Sequence, residues 1–324
     1  MKTIEGTYTF ANIFTTNNEV HAIEDYALAQ IQMICDQEAS KNCRIRVMPD
    51  VHPGKVGPIG LTQTLGDKII LNLVGIDIGC GMTLAQIKGK KIEYQKLDTV
   101  IRENVPSGFS IRTKPHRFAE YFDFSALHCA SHIQMDKAMR SLGTLGGGNH
   151  FIEADKNDDG NLYIVIHSGS RRLGKEVTEY YLNQGQKVLK EQGLQIPYEL
   201  TWLEGDMIQH YLQIVQKYAS LNREIMLDEL VKGMKWKVLD SYECIHNYVD
   251  NRPEITELFH APMLRKGAIS ALSGEKVIIP INMRDGILLG TGKGNPNWNC
   301  SAPHGSGRIM KREDVKSSFT VSSF

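Results

Sequence analysis

An α+β fold is the class this sequence predicts, and three observations lead to it. Strand-like and helix-like stretches follow one another without regular alternation; residues 177–192 and 207–234 carry the 3.6-residue apolar spacing of helices; and several apolar runs end at glycine-rich turns that bear Asp, Cys or His. No internal repeat and no Pro/Ser-rich linker interrupts residues 1–324, so the expectation is a single large domain of mixed sheets with helical insertions.

Taken in order, Val20, Ile23, Ala27, Leu28, Ile31 and Ile34 space like one face of a helix within 20–40. Residues 44–48 alternate as a strand and run into MPDVHPGKVGPIG (48–60), whose prolines and glycines predict a loop carrying Asp50, His52 and Lys55. Residues 68–74 and 82–87 read as strands flanking the turn GIDIGCGM (75–82), in which glycines let the backbone fold tightly around Asp77 and Cys80. The stretch 97–139 is mixed, and its basic and polar part, 112–117, reads as an exposed loop. SLGTLGGGNHFIE (141–153) ends as a strand; 162–167 is an apolar strand that stops at HSGSR. Within the first long helix, 183–193 is rich enough in Gln and Lys to face solvent. Residues 276–282 form the last clear strand, followed by a Gly/Asn-rich run through Trp298.

Composition narrows the function classes. Apolar residues make up 41% and charged residues 23%, and no apolar run approaches the ~18 residues that span a bilayer. The N-terminus lacks a basic region followed by an uninterrupted apolar stretch, and the six cysteines have no disulfide-framework spacing, so the expectation is a soluble, globular, cytoplasmic protein with reduced thiols. A net charge of zero argues against indiscriminate polyanion binding, so any nucleic-acid contact has to use a local basic cluster, such as Arg171/Arg172, Arg265/Lys266 or Arg308/Lys311/Arg312.

The chemistry-bearing residues are Asp77, Cys80, His150, His167 and His246, a hard oxygen, a soft sulfur and three imidazoles. That mixture suits borderline divalent ions such as manganese, zinc or iron, and two ions sharing a thiolate would need about this many ligands with positions left open for substrate. None of the zinc-finger spacings is present. The glycines of GTLGGGNH and HGSGR expose backbone N–H groups suited to phosphate. His304 lies in the second of these motifs with Arg308 nearby and no adjacent thiol or carboxylate, which leaves a nucleophile as well as a ligand open for it.

Seven motifs, MPDVHPGKVGPIG, GIDIGCGM, GGGNHFIE, HSGSR, HNYV, RKGAISA and SAPHGSGR, occur in that order between residues 48 and 312. The set resembles the RtcB family of RNA ligases. The resemblance implies a GTP- and manganese-dependent enzyme that joins an RNA 2′,3′-cyclic phosphate or 3′-phosphate end to a 5′-hydroxyl end, with a buried dinuclear site. On that pattern His304 becomes guanylylated, while Asp77, Cys80, His150, His167 and His246 hold two manganese ions with the cysteine bridging. Guanylate contacts fall on Asn149, His150, Phe151, Ile152, Glu153, His246, Asn247, Pro280, Ile281, Asn282, Met283, His304, Gly305, Ser306 and Gly307. Apart from the resemblance, the local basic clusters put Arg171, Arg265, Lys266 and Arg308 on the expected RNA path, and Asp50 and His52 are expected either to shape the RNA end or to serve the loop. The chain departs from the pattern at PINMRDG, where Ile287 takes the place of a serine, at Ser306, where alanine is commoner, and at Phe324, where the chain stops short of the C-terminal segment with the pattern's nucleotide-binding lysine. Two other classes fit part of the same set: a metal-dependent phosphodiesterase, which needs the five ligands but no nucleophile at His304, and a non-catalytic nucleotide- or RNA-binding member of the family.

Overall fold

Burial patterns along the chain show how these residues form elements. In the strand Leu162–Ser168, for example, Ile164 and Ile166 point into one layer and Val165 and His167 into the other, the period of two that a sheet buried on both faces requires. The computed structural model describes residues 1–15, 23–204 and 207–307. Its elements in chain order begin with β1 (Lys2–Glu5), β2 (Phe10–Ile13), α1 (Asp25–Cys35), β3 (Ile45–His52) and β4 (Ile59–Thr64). Then come β5 (Lys68–Ile70), α2 (Leu71–Val74), β6 (Gly81–Ile87), α3 (Tyr94–Asn104), α4 (Met135–Ser141), β7 (Phe151–Lys156), β8 (Leu162–Ser168), α5 (Arg171–Glu191), β9 (Trp202–Glu204), α6 (Met207–Met234), β10 (Val238–Ile245) and β11 (Asn247–Asp250). The last are α7 (Pro253–Phe259), β12 (Met263–Lys266), β13 (Ala268–Ser270), β14 (Lys276–Asn282), β15 (Gly286–Thr291) and β16 (Ser301–Pro303). Helices and several sheets are thus mixed along the chain, and no described helix is long and apolar enough to cross a membrane.

The chain divides into two compact units. The unit central in sequence, Asp67–Asp250, is built on an antiparallel sheet in the order β10-β6-β8-β7. Ala85, Ile87, Leu162, Ile164 and Ile166 of that sheet pack with Leu97 and Val100 of α3 and Met226, Leu230 and Met234 of α6 into one core cluster. The register pairs Met82 with His167 and His167 with Phe151, so His167 stands on the face opposite that cluster. The other unit, Met1–Gly66 with Asn251–Phe324, places β1, β2, β3, β4 and β12 side by side, parallel between β2 and β3 and antiparallel elsewhere, and adds the pairs β13-β16 and β14-β15.

Several expectations are corrected. Asp50 and His52 do not lie on a loop: β3 runs through both, with a register shift between Val47 and His52, the kind of irregularity that tolerates Pro49 in a strand. Leu71–Val74 is a helical turn rather than the end of a strand; a short apolar run with all four residues buried does not distinguish the two, and Gly75 at φ 90° ends it. The run before Trp298 contains β15, whose Ile287, Leu288 and Leu289 pair with Pro280, Ile279 and Ile278. The first helix is shorter than 20–40, and Val20 lies outside the described residues. Arg112, expected on an exposed loop, instead turns inward to donate to the carbonyls of Asn104, Leu142 and Gly143.

Candidate metal centre

Antiparallel order explains how residues far apart in sequence gather. One end of the central sheet receives the end of β10, the start of β6, the end of β8 and the start of β7, and these termini carry or adjoin His246, Cys80, His167 and His150. His246 N–H donates to the Cys80 carbonyl at 2.9 Å, continuing the β10–β6 pairing past its last rung. Asp77 enters from the preceding turn. Its Oδ1 accepts from Ser170 N–H at 2.9 Å, and Gly169 must be glycine for it to do so, because a Cβ there would lie 2.2 Å from the same oxygen.

The five side chains form two groups whose ligand atoms lie within 4.8 Å of one another, Asp77/Cys80/His150 and Cys80/His167/His246. Cys80 belongs to both. Its Sγ is 3.6 Å from His150 Nε2 and 3.3 Å from His167 Nε2; His167 Nε2 is 3.3 Å from His246 Nε2, and His150 Nε2 is 2.9 Å from Asp77 Oδ2. Backbone carbonyls set two of the tautomers. His150 Nδ1–H donates to Leu145 O at 2.8 Å and His167 Nδ1–H to Asn149 O at 2.9 Å, so in the neutral rings each Nε2 presents a lone pair. His150 Nε2 faces the Asp77 carboxylate at 2.9 Å, a place where either a proton on the ring or a bound cation satisfies both atoms. Burial, and then the Asp77 charge, push the Cys80 thiol well above its ordinary range. Burial also pushes Asp77 up, but His150, Cys80 and Arg171 together outweigh it and hold the carboxyl at about 2. A buried thiol beside a carboxylate is the kind of group that deprotonates onto a metal ion, so the donor set fits a pair of divalent ions.

His304 belongs to the other unit. Its Nδ1 is 2.8 Å from Asp50 Oδ2, and its ring lies near that of His52, centroids 6.3 Å apart. Asp50 is the more buried partner, its side chain 2% exposed against 20% for His304. In the same unit Ser306 Oγ donates to Ile281 O at 3.0 Å, which joins the segment His304, Gly305, Ser306, Gly307 to Pro280, Ile281, Asn282, Met283. In the central unit, Asn149, Phe151, Ile152 and Glu153 lead from the glycine-rich loop into β7, and Asn247 Nδ2 donates to Asp77 O at 3.4 Å.

The basic residues are less uniform. Arg171 is partly buried, with its guanidinium over Gly146 and Nη1 3.4 Å from His150 Nδ1. Arg265 and Lys266, expected on a nucleic-acid path, are interior residues of β12; Arg265 donates to Ser301 Oγ at 2.9 Å, and burial brings Lys266 down to about 8. They do not form an exposed basic patch. Arg308, Lys311 and Arg312 lie outside the described residues.

A family model described as "tRNA-splicing ligase RtcB" matches residues 35–130 and 119–324. The chain belongs to the RtcB family. It is 31% identical over 317 residues to RNA-splicing ligase RtcB of Escherichia coli (strain K12), an alignment covering 86% of this chain and 76% of that protein. It is 27% identical over 332 residues to RNA-splicing ligase RtcB2 of another Escherichia coli strain, covering 94% and 78%. A tRNA-splicing ligase RtcB of Archaeoglobus fulgidus is 27% identical over 355 residues, covering 83% and 73%.

Two features of this RtcB chain escaped the sequence reading. Asp50 bonds His304 rather than simply shaping a loop, a pairing that no local pattern could announce. The third group of ligand-type side chains, His116/Asp228/Glu229, is a satisfied structural cluster. His116 Nδ1 accepts from Phe118 N–H, its Nε2 donates to Glu229 at 2.9 Å, and Asp228 is paired by Arg117 and Lys232.

Proposed function

We propose that the chain is a GTP- and manganese-dependent RNA ligase that joins a 2′,3′-cyclic phosphate or 3′-phosphate RNA end to a 5′-hydroxyl end through a histidine–guanylate intermediate. The observation that carries this reading is the pair of ligand groups sharing one thiol, Asp77/Cys80/His150 and Cys80/His167/His246, in a chain of this family. Two manganese ions held there would supply positive charge to phosphate oxygens during transfer. His150 and His167, with Nδ1 protons committed to Leu145 O and Asn149 O, offer Nε2 as ligand atoms, and Asp77 is held ionised for the same purpose.

His304 is the nucleophile in this reading. With its Nδ1–H given to the Asp50 carboxylate, the lone pair of a neutral imidazole is on Nε2, and Asp50 stabilises the ring as it gains positive charge. Nε2 attacks the α-phosphorus of GTP, an N–P bond forms and pyrophosphate leaves. The RNA 3′-phosphate then takes the guanylate from the histidine. The 5′-hydroxyl oxygen next attacks the activated phosphate and displaces GMP; a cyclic phosphate is first opened by water. Asn149, Phe151, Ile152, Glu153, Asn247, the turn at Pro280 to Met283 and the glycines beside His304 are the guanylate contacts, and Arg171 is the described basic residue assigned to RNA phosphate. A reducing cytoplasm suits the six free cysteines.

Incubation of the chain with GTP labelled at the α-phosphate and manganese, followed by mass spectrometry of the peptide that contains His304, tests the proposal. The expected product is a phosphoramidate on that histidine, labile to acid. A chain that binds manganese and cleaves cyclic phosphates but forms no adduct would be a phosphodiesterase instead.

A further inference from the structure

We propose that Asn222 and Arg223, adjacent residues of α6 outside the ligand set, are the positioning residues of the metal centre: together they fasten the chain segments that carry its ligands. The inference rests on the reading of Asp77, Cys80, His150, His167 and His246 as metal ligands. Both side chains are 0% exposed. They fall where the buried stripe of α6, from Val215, Tyr218 and Ala219 to Met226 and Leu230, would otherwise be apolar, so burial has to be matched by bonds.

The bonds go to the ligand-bearing segments. Arg223 Nη1 donates to Gly79 O and Ser168 O, each at 2.8 Å. Gly79 precedes Cys80, Ser168 follows His167, and Gly81–Ser168 is the last pair of the β6–β8 ladder. The guanidinium therefore serves as one more rung at the point where the ligands emerge. Arg223 Nη2 also donates to Glu243 Oε2 at 2.8 Å, tying in β10 three residues before His246. Asn222 fastens the glycine-rich loop. Its Oδ1 accepts from Gly143 N–H at 2.8 Å and Thr144 N–H at 3.0 Å, and its Nδ2 donates to Thr144 O, Ser168 Oγ and Gly169 O at 3.1–3.2 Å. Thr144 adjoins Leu145, whose carbonyl orients His150, and Gly169 lies against Asp77. The residues next to Cys80 and His167 are thus bonded to this dipeptide directly, and the segments of Asp77, His150 and His246 are tied to it through Gly169, Thr144–Leu145 and Glu243. The spacing of two ligand groups about one sulfur is set from α6.

Cobalt titration of the metal-free full chain tests this, with the cobalt–thiolate absorption as the readout and thermal unfolding of the metal-free protein as the control. The wild type should take up two ions and show the band of a shared Cys80 thiolate. Arg223→Met fills the space but serves neither carbonyl, and should weaken cobalt binding about ten- to a hundredfold with a changed thiolate band. Arg223→Lys, which reaches one carbonyl at a time, should fall between the two, and it decides the matter if Arg223→Met does not fold. Asn222→Asp keeps the acceptor for Gly143 and Thr144 but loses the donations, and should weaken binding likewise. Variants that lower only the unfolding temperature, with cobalt affinity and spectrum unchanged, overturn the proposal. A wild type that binds no cobalt and no manganese overturns the metal reading beneath it, a result separable from the first.

Discussion

Asp50 Oδ2 lies 2.8 Å from His304 Nδ1, an ion-pair-type contact between residues 254 positions apart in the chain. The carboxylate is almost wholly buried while the histidine is partly exposed, so the contact holds the ring from its buried side. If His304 is the nucleophile, Asp50→Asn should keep the fold and slow guanylylation by about 10²-fold or more, because the neutral amide stabilises the developing imidazolium less and can hold the wrong tautomer. Single-turnover formation of the labelled adduct measures this. An unchanged rate would leave Asp50 as a packing residue.

Cys80 is common to both ligand groups, so on the proposed two-ion reading its removal should affect both positions. Cys80→Ala is expected to lose at least one equivalent of bound manganese and all joining of RNA ends, since no other described cysteine belongs to either group. Metal analysis after gel filtration reads the stoichiometry. Two ions retained in the variant would remove the shared thiolate from the site.

How far this was legible in the sequence depends on range. β6, β8 and α6 follow from apolar periodicity, which local side-chain direction enforces, and their observed limits are close to those expected. Asp77 and Cys80 stood out after an apolar run and His150 and His167 at glycine-rich strand ends, and an antiparallel sheet gathers such ends; His246, just past the end of β10, had no such turn to mark it. The Asp50–His304 contact has no local signature, since it depends on strands placed by tertiary packing. Lys266 shows the opposite failure: a basic dipeptide looks like a surface patch in composition, yet strand β12 is buried along its whole length. Asn222 and Arg223 were open to detection as polar residues on the apolar stripe of α6.

A pH-dependent contribution to stability follows from β7. Burial, and then the neighbouring Asp155, raise the Glu153 carboxyl from 4.5 to about 7. A raised carboxyl means that the native chain holds this proton where the unfolded chain has lost it, so stability falls as pH rises between 4.5 and about 7. Glu153→Gln should therefore be more stable than wild type at pH above 7, by about 1 kcal/mol after discounting for solvent screening at a half-buried site. The advantage should vanish below the unfolded value. Thermal unfolding of both metal-free proteins across that range checks the sign, and a difference independent of pH would contradict it.

The nucleophile and ligand roles of His304 separate in one variant. Among the described residues, neither group sharing Cys80 includes His304, and its Nδ1 meets a carboxylate of its own unit, so neither ligand group counts its side chain. His304→Ala should bind manganese and GTP noncovalently about as well as wild type, yet form no adduct and join no ends. The variant should still seal RNA already carrying guanylate at its 3′ end, because in the proposed mechanism the histidine takes part only in loading and handing over that group. Retained sealing with lost loading would place His304 at the first two steps and leave the last step to the metal ligands. Loss of manganese in His304→Ala would instead move it into the ligand set, and an adduct that persists would place the nucleophile on another residue.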